Sequence, residues 1–332
     1  MMNRIYFALL YVLNGLSRLA IYAVSPFFMI LSSQIKGVLL TLAAVCFAVI
    51  TGAIVKGLSG DLTLLTMLFF RFLFSLPILF FVAWRVRGRD MLRITQRRTM
   101  MVRVMFGMAG ITFWFLSVRN IPLGQATALF QSSVLFITLA SPLLLSEKVG
   151  IYRTVAVIVG LMGIVLLTDP FSQAITPAVL FGLCAAIAGA GLSITLRRLG
   201  KGDQPVTIAF VYNSCGFIVF GLLLLALPSH FMMPAPDELS MLMTLGVFSS
   251  LLQLSFTSAY RYSEAIVVAS LRYLQVPLAG VFGFLVFSEV PTILQLCGMV
   301  VVVSSCMFII WREFVISQQQ AVQKMTSSGE TQ

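Results

Sequence analysis

Apolar and polar positions alternate along this chain on the scale of whole segments. Long runs of Leu, Ile, Val, Phe and Ala are separated by short stretches that hold most of the charges. A helix needs about 20 apolar residues to cross the hydrocarbon core of a bilayer. By that measure ten spans are predicted, over 37–56, 63–84, 100–118, 122–145, 151–168, 177–196, 205–227, 239–259, 264–287 and 291–311. The connections are mostly short, so successive helices are expected to be antiparallel neighbours. No stretch alternates with the period of two of a membrane β-barrel, and the runs are about twice too long for one. Residues 5–31 depart from the pattern, because Asn14 and Arg18 interrupt the apolar run and neither half spans alone. Arg4, Tyr11 and Arg18 recur every seven residues along one helical stripe, which favours an interfacial amphipathic helix over an extra span. A cleaved signal peptide fits less well, since Arg18 falls where its apolar region would end.

Composition narrows the class. Apolar residues make up 59% of the 332 positions and charged residues 10%, against roughly 25% charged in a soluble globular chain. Mean hydropathy is +1.02. A cytosolic enzyme, a disordered chain and a secreted disulfide scaffold are thereby excluded, leaving an all-α polytopic membrane protein. The five cysteines show no Cys-x-x-Cys spacing and lie in apolar runs, so they are expected to be small buried apolar residues. His230, the one histidine, sits in a Pro-containing loop, and no metal or cofactor is expected.

The net charge of +11 is read as loop charge facing the cytoplasm rather than as a nucleic-acid surface. An even number of spans puts both ends of the core on one side. Assigning that side to the cytoplasm collects Lys36, Arg85, Arg87, Arg89, Arg93, Arg97, Arg98, Arg103, Lys148, Arg153, Arg197, Arg198, Lys201, Arg261, Arg312 and Lys324 there. The other face keeps Lys56 and Arg119, with Asp61, Asp169, Asp237, Glu238 and Glu289. Trp84 and Trp311 at span ends fit an interfacial aromatic belt. A multi-pass protein of a bacterial inner membrane, monomeric or homodimeric, is expected.

The two halves match at a fixed offset. Gly60-Asp61 recurs as Gly202-Asp203, and 203 − 61 = 142. The same shift carries Ala43-Ala44 onto Ala185-Ala186, Ala48 onto Ala190, Lys56 onto Arg198, Arg119 onto Arg261, and Ser146-Glu147 onto Ser288-Glu289. Five spans per copy is an odd number, so the second copy is predicted to enter the membrane upside down. Inverted halves can rock around a site near the midplane and expose it to either side in turn. The chain divides accordingly into an N-terminal hydrophobic or amphipathic segment (1–35), a first repeat (36–170), a second repeat (171–312) and a disordered cytoplasmic tail (313–332).

With these features the chain resembles the drug/metabolite transporter superfamily, in its tandem EamA form, over about 36–311. The resemblance is carried by the five-plus-five arrangement, by Phe69-Phe70-Arg71-Phe72 in the second span, and by Glu147 and Glu289 closing the fourth and ninth. Pro277 precedes Glu289 by twelve residues, as the family pattern prefers; the first copy has Leu135 there and its proline at Pro142. The resemblance implies a metabolite carrier, similar to those that move nucleoside- or vitamin-like molecules such as riboflavin and S-adenosylmethionine, and to amino-acid exporters.

Polar residues at membrane depth are the candidate chemistry, because they are costly there. Arg71 and Arg272 fall within spans with no carboxylate at that depth, and can bind a substrate carboxylate or phosphate or donate to a neighbouring helix. Arg272-Tyr273-Leu274-Gln275 maps onto Phe130-Gln131-Ser132-Ser133, so Gln131 and Tyr273 are expected to face each other across the pseudo-two-fold axis. Ser132, Ser133, Gln275, Trp114 and Asn213 complete the predicted substrate-binding set; Tyr212, Gln253 and Tyr260 rank behind it. Gly107, Gly110, Gly182, Gly189 and Gly191 are read as helix-packing positions. Glu147 and Glu289 are read as helix-end anchors. The chain has no Gly-x-x-x-x-Gly-Lys loop. A secondary carrier is the leading expectation, as importer or exporter, ahead of a channel or a membrane-embedded enzyme.

Overall fold

The computed structural model describes residues 33–329 except 61, 146–150, 169–175, 201 and 264. The expected N-terminal segment, Asp61, Asp169, Glu147, Lys148, Lys201 and Glu264 lie outside the described residues or within those exceptions. Twelve α-helices and no strand occur among the described residues. In chain order they are α1 (Ser33–Gly57), α2 (Leu64–Arg87), α3 (Arg97–Asn120), α4 (Leu123–Gln131), α5 (Ser133–Leu145) and α6 (Ile151–Thr168). The remaining six are α7 (Pro177–Leu199), α8 (Pro205–Ala226), α9 (Pro236–Tyr262), α10 (Ala265–Arg272), α11 (Gln275–Phe287) and α12 (Ile293–Gly329). Seven of these (α1, α2, α3, α7, α8, α9 and α12) are long and apolar enough to cross a bilayer.

Local chemistry sets several of the ends. The Thr63 hydroxyl accepts from the Thr66 amide at the start of α2, and Pro177, Pro205 and Pro236 open α7, α8 and α9. A proline there forfeits an amide that a first turn leaves unbonded anyway. Lys56, Arg119 and Arg261 lie in the last turns of α1, α3 and α9, where the helix dipole favours positive charge.

The sequence predicts one unbroken helix over 122–145 and another over 264–287, and the structure corrects both. The first divides into α4 and α5 at Ser132, the second into α10 and α11 at Tyr273-Leu274. Ser132 and Leu274 are equivalent positions, since 274 − 132 = 142. The causes differ. Pro277 has no amide to give the Tyr273 carbonyl, which accepts from the Val276 amide instead at 3.1 Å. In the first half Ser132 donates its hydroxyl to the Leu129 carbonyl at 2.6 Å, and its amide is shared between Ala128 and Leu129. Pro142 is ten residues beyond that break.

Two further expectations change. α12 continues to Gly329, through most of the segment read as a disordered tail. Cys46, Cys184 and Cys297 are exposed on helix faces, and of the five only Cys306 is buried. A thiol is apolar enough to face outward on a membrane helix as readily as inward.

Packing follows the repeat rather than the chain order. The most extensive pairings join the two halves: α3 with α7, α6 with α12, α1 with α9, and α2 with α8. Successive helices are therefore not the main neighbours that short connections suggested. Exchanging the halves maps α1 on α9 onto α7 on α3, while α2 on α8 and α6 on α12 map onto themselves. The α2–α8 seam is aromatic, with Phe69 stacked on Phe217 and Phe72 on Phe220. At the α6–α12 seam backbones meet: a Cβ on Gly298 would lie 2.4 Å from the Leu167 amide nitrogen.

α3 also fixes the relative direction of α1 and α7. At its start the Gln96 side chain donates to the Arg198 carbonyl, at the end of α7. Just past its other end, Lys56 at the end of α1 donates to the Ile121 carbonyl at 2.6 Å. Lys56 and Arg198 occupy the same place in their repeats, yet sit at opposite ends of a helix that its 24 residues make about 36 Å long.

Candidate functional site

A cavity of about 140 Å³ lies between α1, α2, α3, α7, α8, α9 and the two broken helices. A single water needs roughly 10–15 Å³ by this measure, so the space suits part of an organic molecule. Small residues make the room: Ala44, Ala48, Gly107, Gly110 and Gly189 all face it. A Cβ on Gly107 would come within 2.7 Å of the Tyr212 ring. Trp114, Phe130, Tyr212 and Phe256 add flat aromatic walls.

The two helix breaks meet at one side of this cavity. Tyr273 donates its hydroxyl to the Gln131 carbonyl at 3.0 Å, so the pair expected to face across the axis is in direct contact. Gln131 donates its amide to the Arg272 carbonyl at 2.6 Å, and Arg272 Nη2 returns a bond to Gln131 Oε1 at 3.0 Å. The Arg272 guanidinium lies 4.7 Å from the Phe256 ring centroid and 5.9 Å from that of Phe130. Cation–π contact and the glutamine hold it at the cavity wall without a carboxylate.

Arg71, also on the cavity lining, donates from Nε to the Ser249 hydroxyl at 3.1 Å, and its Cζ lies 4.6 Å from the Phe72 ring. Arg71 Nη1, Trp114 Nε1 and Gln253 Nε2 are buried with no acceptor among the described residues. An unmet buried donor costs about 1–3 kcal/mol, so three such donors among the cavity-lining residues mark a surface built to meet acceptors.

Of the predicted set, Arg71, Trp114, Arg272 and Gln275 line the cavity, as do Tyr212 and Gln253 from the second rank. Gln131 and Tyr273 clamp the junction beside it. Ser132, Ser133 and Asn213 are buried but do not line it. Asn213 spends its amide on the Ala209 carbonyl at 2.9 Å and Ser132 its hydroxyl on Leu129. Glu289 is an anchor, as expected: it pairs with Lys56 at 2.5 Å and accepts from the Leu123 amide at 2.8 Å, capping α4.

Sequence reasoning does not predict the aromatic walls Phe130 and Phe256, and it misses one charged residue as well. Arg103, counted with the cytoplasmic charges, is 1% exposed and stacks at 4.0 Å over the Tyr212 ring. A signal was present: Arg103, Gly107, Gly110 and Trp114 follow the 4-3-4 spacing of one helix face. Charge counting obscured it, because Arg97 and Arg98 begin the same helix.

Cavity, broken helices and apolar spans define the class, a multi-pass membrane transporter. Residues 35–169 and 176–311 each match the EamA-like transporter family, and the chain belongs to that family, within the drug/metabolite transporter superfamily. It is 30% identical over 285 residues to the pseudopaline exporter CntI of Pseudomonas aeruginosa, covering 84% of this chain and 97% of that one. It is 32% identical over 222 residues to a riboflavin transporter of Vibrio cholerae, covering 67% and 74%. An S-adenosylmethionine uptake transporter of Rickettsia felis is 28% identical over 250 residues, covering 74% and 82%. These relatives are transporters of small molecules, not enzymes. A solved structure with 18% identity superposes with a TM-score of 0.59 over 83% of this chain and 96% of its own, a likeness of fold.

Proposed function

We propose that this chain is a secondary carrier that moves a small organic metabolite across the bacterial inner membrane by alternating access. In this reading ten crossings form two inverted five-span repeats, with both ends of the core in the cytoplasm. The carrying observation is the junction at which Gln131 bonds both Arg272 and Tyr273 beside the cavity. Discontinuous helices from two related halves, meeting at a pocket, are what a carrier rocking about a central site requires. Aromatic walls and unmet donors favour a flat, acceptor-rich or carboxylate-bearing solute, riboflavin-like rather than a net cation. Substrate-binding roles fall to Arg71, Trp114, Arg272 and Gln275 directly, and to Gln131 and Tyr273 through the junction.

The test is flux into proteoliposomes from a radiolabelled panel of riboflavin, S-adenosylmethionine, nucleosides and amino acids. One solute should show saturable uptake that preloading with unlabelled solute accelerates. Non-saturable flux would indicate a channel. Arg272→Ala and Gln131→Ala should each cut specific flux at least about tenfold, the worth of one charge-assisted bond, while the protein stays folded. Normal transport by both variants would show that the site is wrongly placed.

A further inference from the structure

Arg71 and Arg103 together present a combination the carrier reading does not explain. Both are more than nine-tenths buried, at 4% and 1% exposure. The single ion pair among the described residues is Lys56–Glu289, so no described carboxylate neutralises either one. The two guanidinium groups flank one aromatic pair: Arg71 lies 4.6 Å from the Phe72 ring, Arg103 4.0 Å from the Tyr212 ring, and the two rings meet at 5.6 Å. Arg71 Nη1, Arg103 Nε and Arg103 Nη1 have no acceptor among the described residues. Arg71, Gly107 and Tyr212 line the cavity, and a Cβ on Gly107 would touch Arg103 Nη1 at 3.0 Å, which puts that nitrogen next to two lining residues.

Tyr212 donates its hydroxyl to the Gly107 carbonyl at 3.1 Å. What it offers is a ring, against which Arg103 stacks on one side and Phe72 makes an edge contact. Two buried donor-only forks of like charge call for anionic oxygens, and a planar guanidinium suits a carboxylate or a phosphate group.

We infer that Arg71 and Arg103 form an anion subsite, seated beside Tyr212, which takes a carboxylate or phosphate group of the transported solute. The inference rests on reading the cavity as the solute site, and it gives the solute a negative charge at one defined end. Arg272 also lines the cavity but is already engaged by Gln131, which leaves Arg71 and Arg103 as the unsatisfied pair.

The test uses the full chain in phosphatidylcholine nanodiscs, with Trp84→Phe and Trp311→Phe leaving Trp114 as the sole tryptophan reporter. Inorganic phosphate and succinate should change Trp114 fluorescence saturably; choline chloride should not. Arg71→Gln and Arg103→Gln should each weaken that response at least about tenfold, with Arg103→Lys between them and the parent. Without anion, Arg103→Gln should melt no lower than the parent, because it removes an unneutralised buried charge. A purely structural arginine would do the reverse, lowering Tm and leaving the anion response intact, and that result overturns the subsite. So does the absence of any saturable response, or a response that appears only when phosphatidylglycerol is added. If Arg103→Gln fails to fold, Arg103→Lys and Arg71→Gln decide on the same terms. The two readings fail separately. Arginine-dependent anion binding without flux of any solute overturns the carrier alone; unchanged preference for anionic over neutral solutes in Arg103→Gln overturns the subsite alone.

Discussion

Residues at this site act through what they leave unfilled as much as through what they contact. Gly107 is the clearest case, since its missing side chain is what lets Tyr212 and Arg103 sit together against α3. Gly107→Ala puts a methyl 2.7 Å from the tyrosine ring, so the ring must shift and take the Arg103 stack with it. The expected outcome is a loss of about 1–3 kcal/mol, read as a lower Tm, together with strongly reduced flux. Unaltered transport in Gly107→Ala would mean that this wall is not used. The same scale shows which residues a sequence can nominate. Arg71, Arg272, Trp114 and Gln275 are found because polar or bulky groups in mid-span stand out. Asn213 and Ser132 stand out equally, yet bond their own helix one turn back. Composition at depth reveals polarity; only geometry separates a group that faces a cavity from one that satisfies its backbone.

Helices carry the next level of the design. The apolar runs and their repeat were legible because hydropathy and a fixed offset survive in the sequence. The breaks were not, because one is made by a proline and the other by a serine. A reader who follows Pro277 back to Leu135 finds no proline and expects no break, whereas Ser132 ends α4 by hydrogen bonding alone. Pro277→Ala should restore an amide for the Tyr273 carbonyl and fuse α10 with α11. A helix-interior proline costs about 3 kcal/mol, so the variant is expected to melt higher while transporting more slowly. Faster or unchanged flux in that variant would argue that the discontinuity has no role in the cycle. At the end of α11, Glu289→Gln keeps an acceptor for Leu123 and loses the Lys56 pair. A destabilisation of about 1–3 kcal/mol is expected, seen as a Tm drop of a few degrees. No change would reduce the pair to a surface contact.

Across the whole molecule, packing separates two faces. The contacts between chain segments outside the spans join segments that the distribution of Lys and Arg assigns to the same face. Thr63 donates to the His230 carbonyl, and Lys56 meets Glu289, all on the face with few basic residues. Asp203 accepts from the Thr95 amide at 2.7 Å, and Arg261 donates to Gln204, all on the basic face. Charge statistics and packing are independent, since one comes from insertion and the other from side-chain fit, and they agree. The proposed inverted repeat requires in addition that positions 142 residues apart face opposite compartments. Gly60 and Gly202 are such a pair, both exposed and neither at a backbone angle that demands glycine. Placed singly in a chain freed of its five native cysteines, Gly60→Cys should react with a membrane-impermeant maleimide on intact spheroplasts. Gly202→Cys should react only after the membrane is permeabilised. If both label from one side, the halves run parallel, and the rocking motion about a shared junction at Gln131, Arg272 and Tyr273 has no symmetry to drive it.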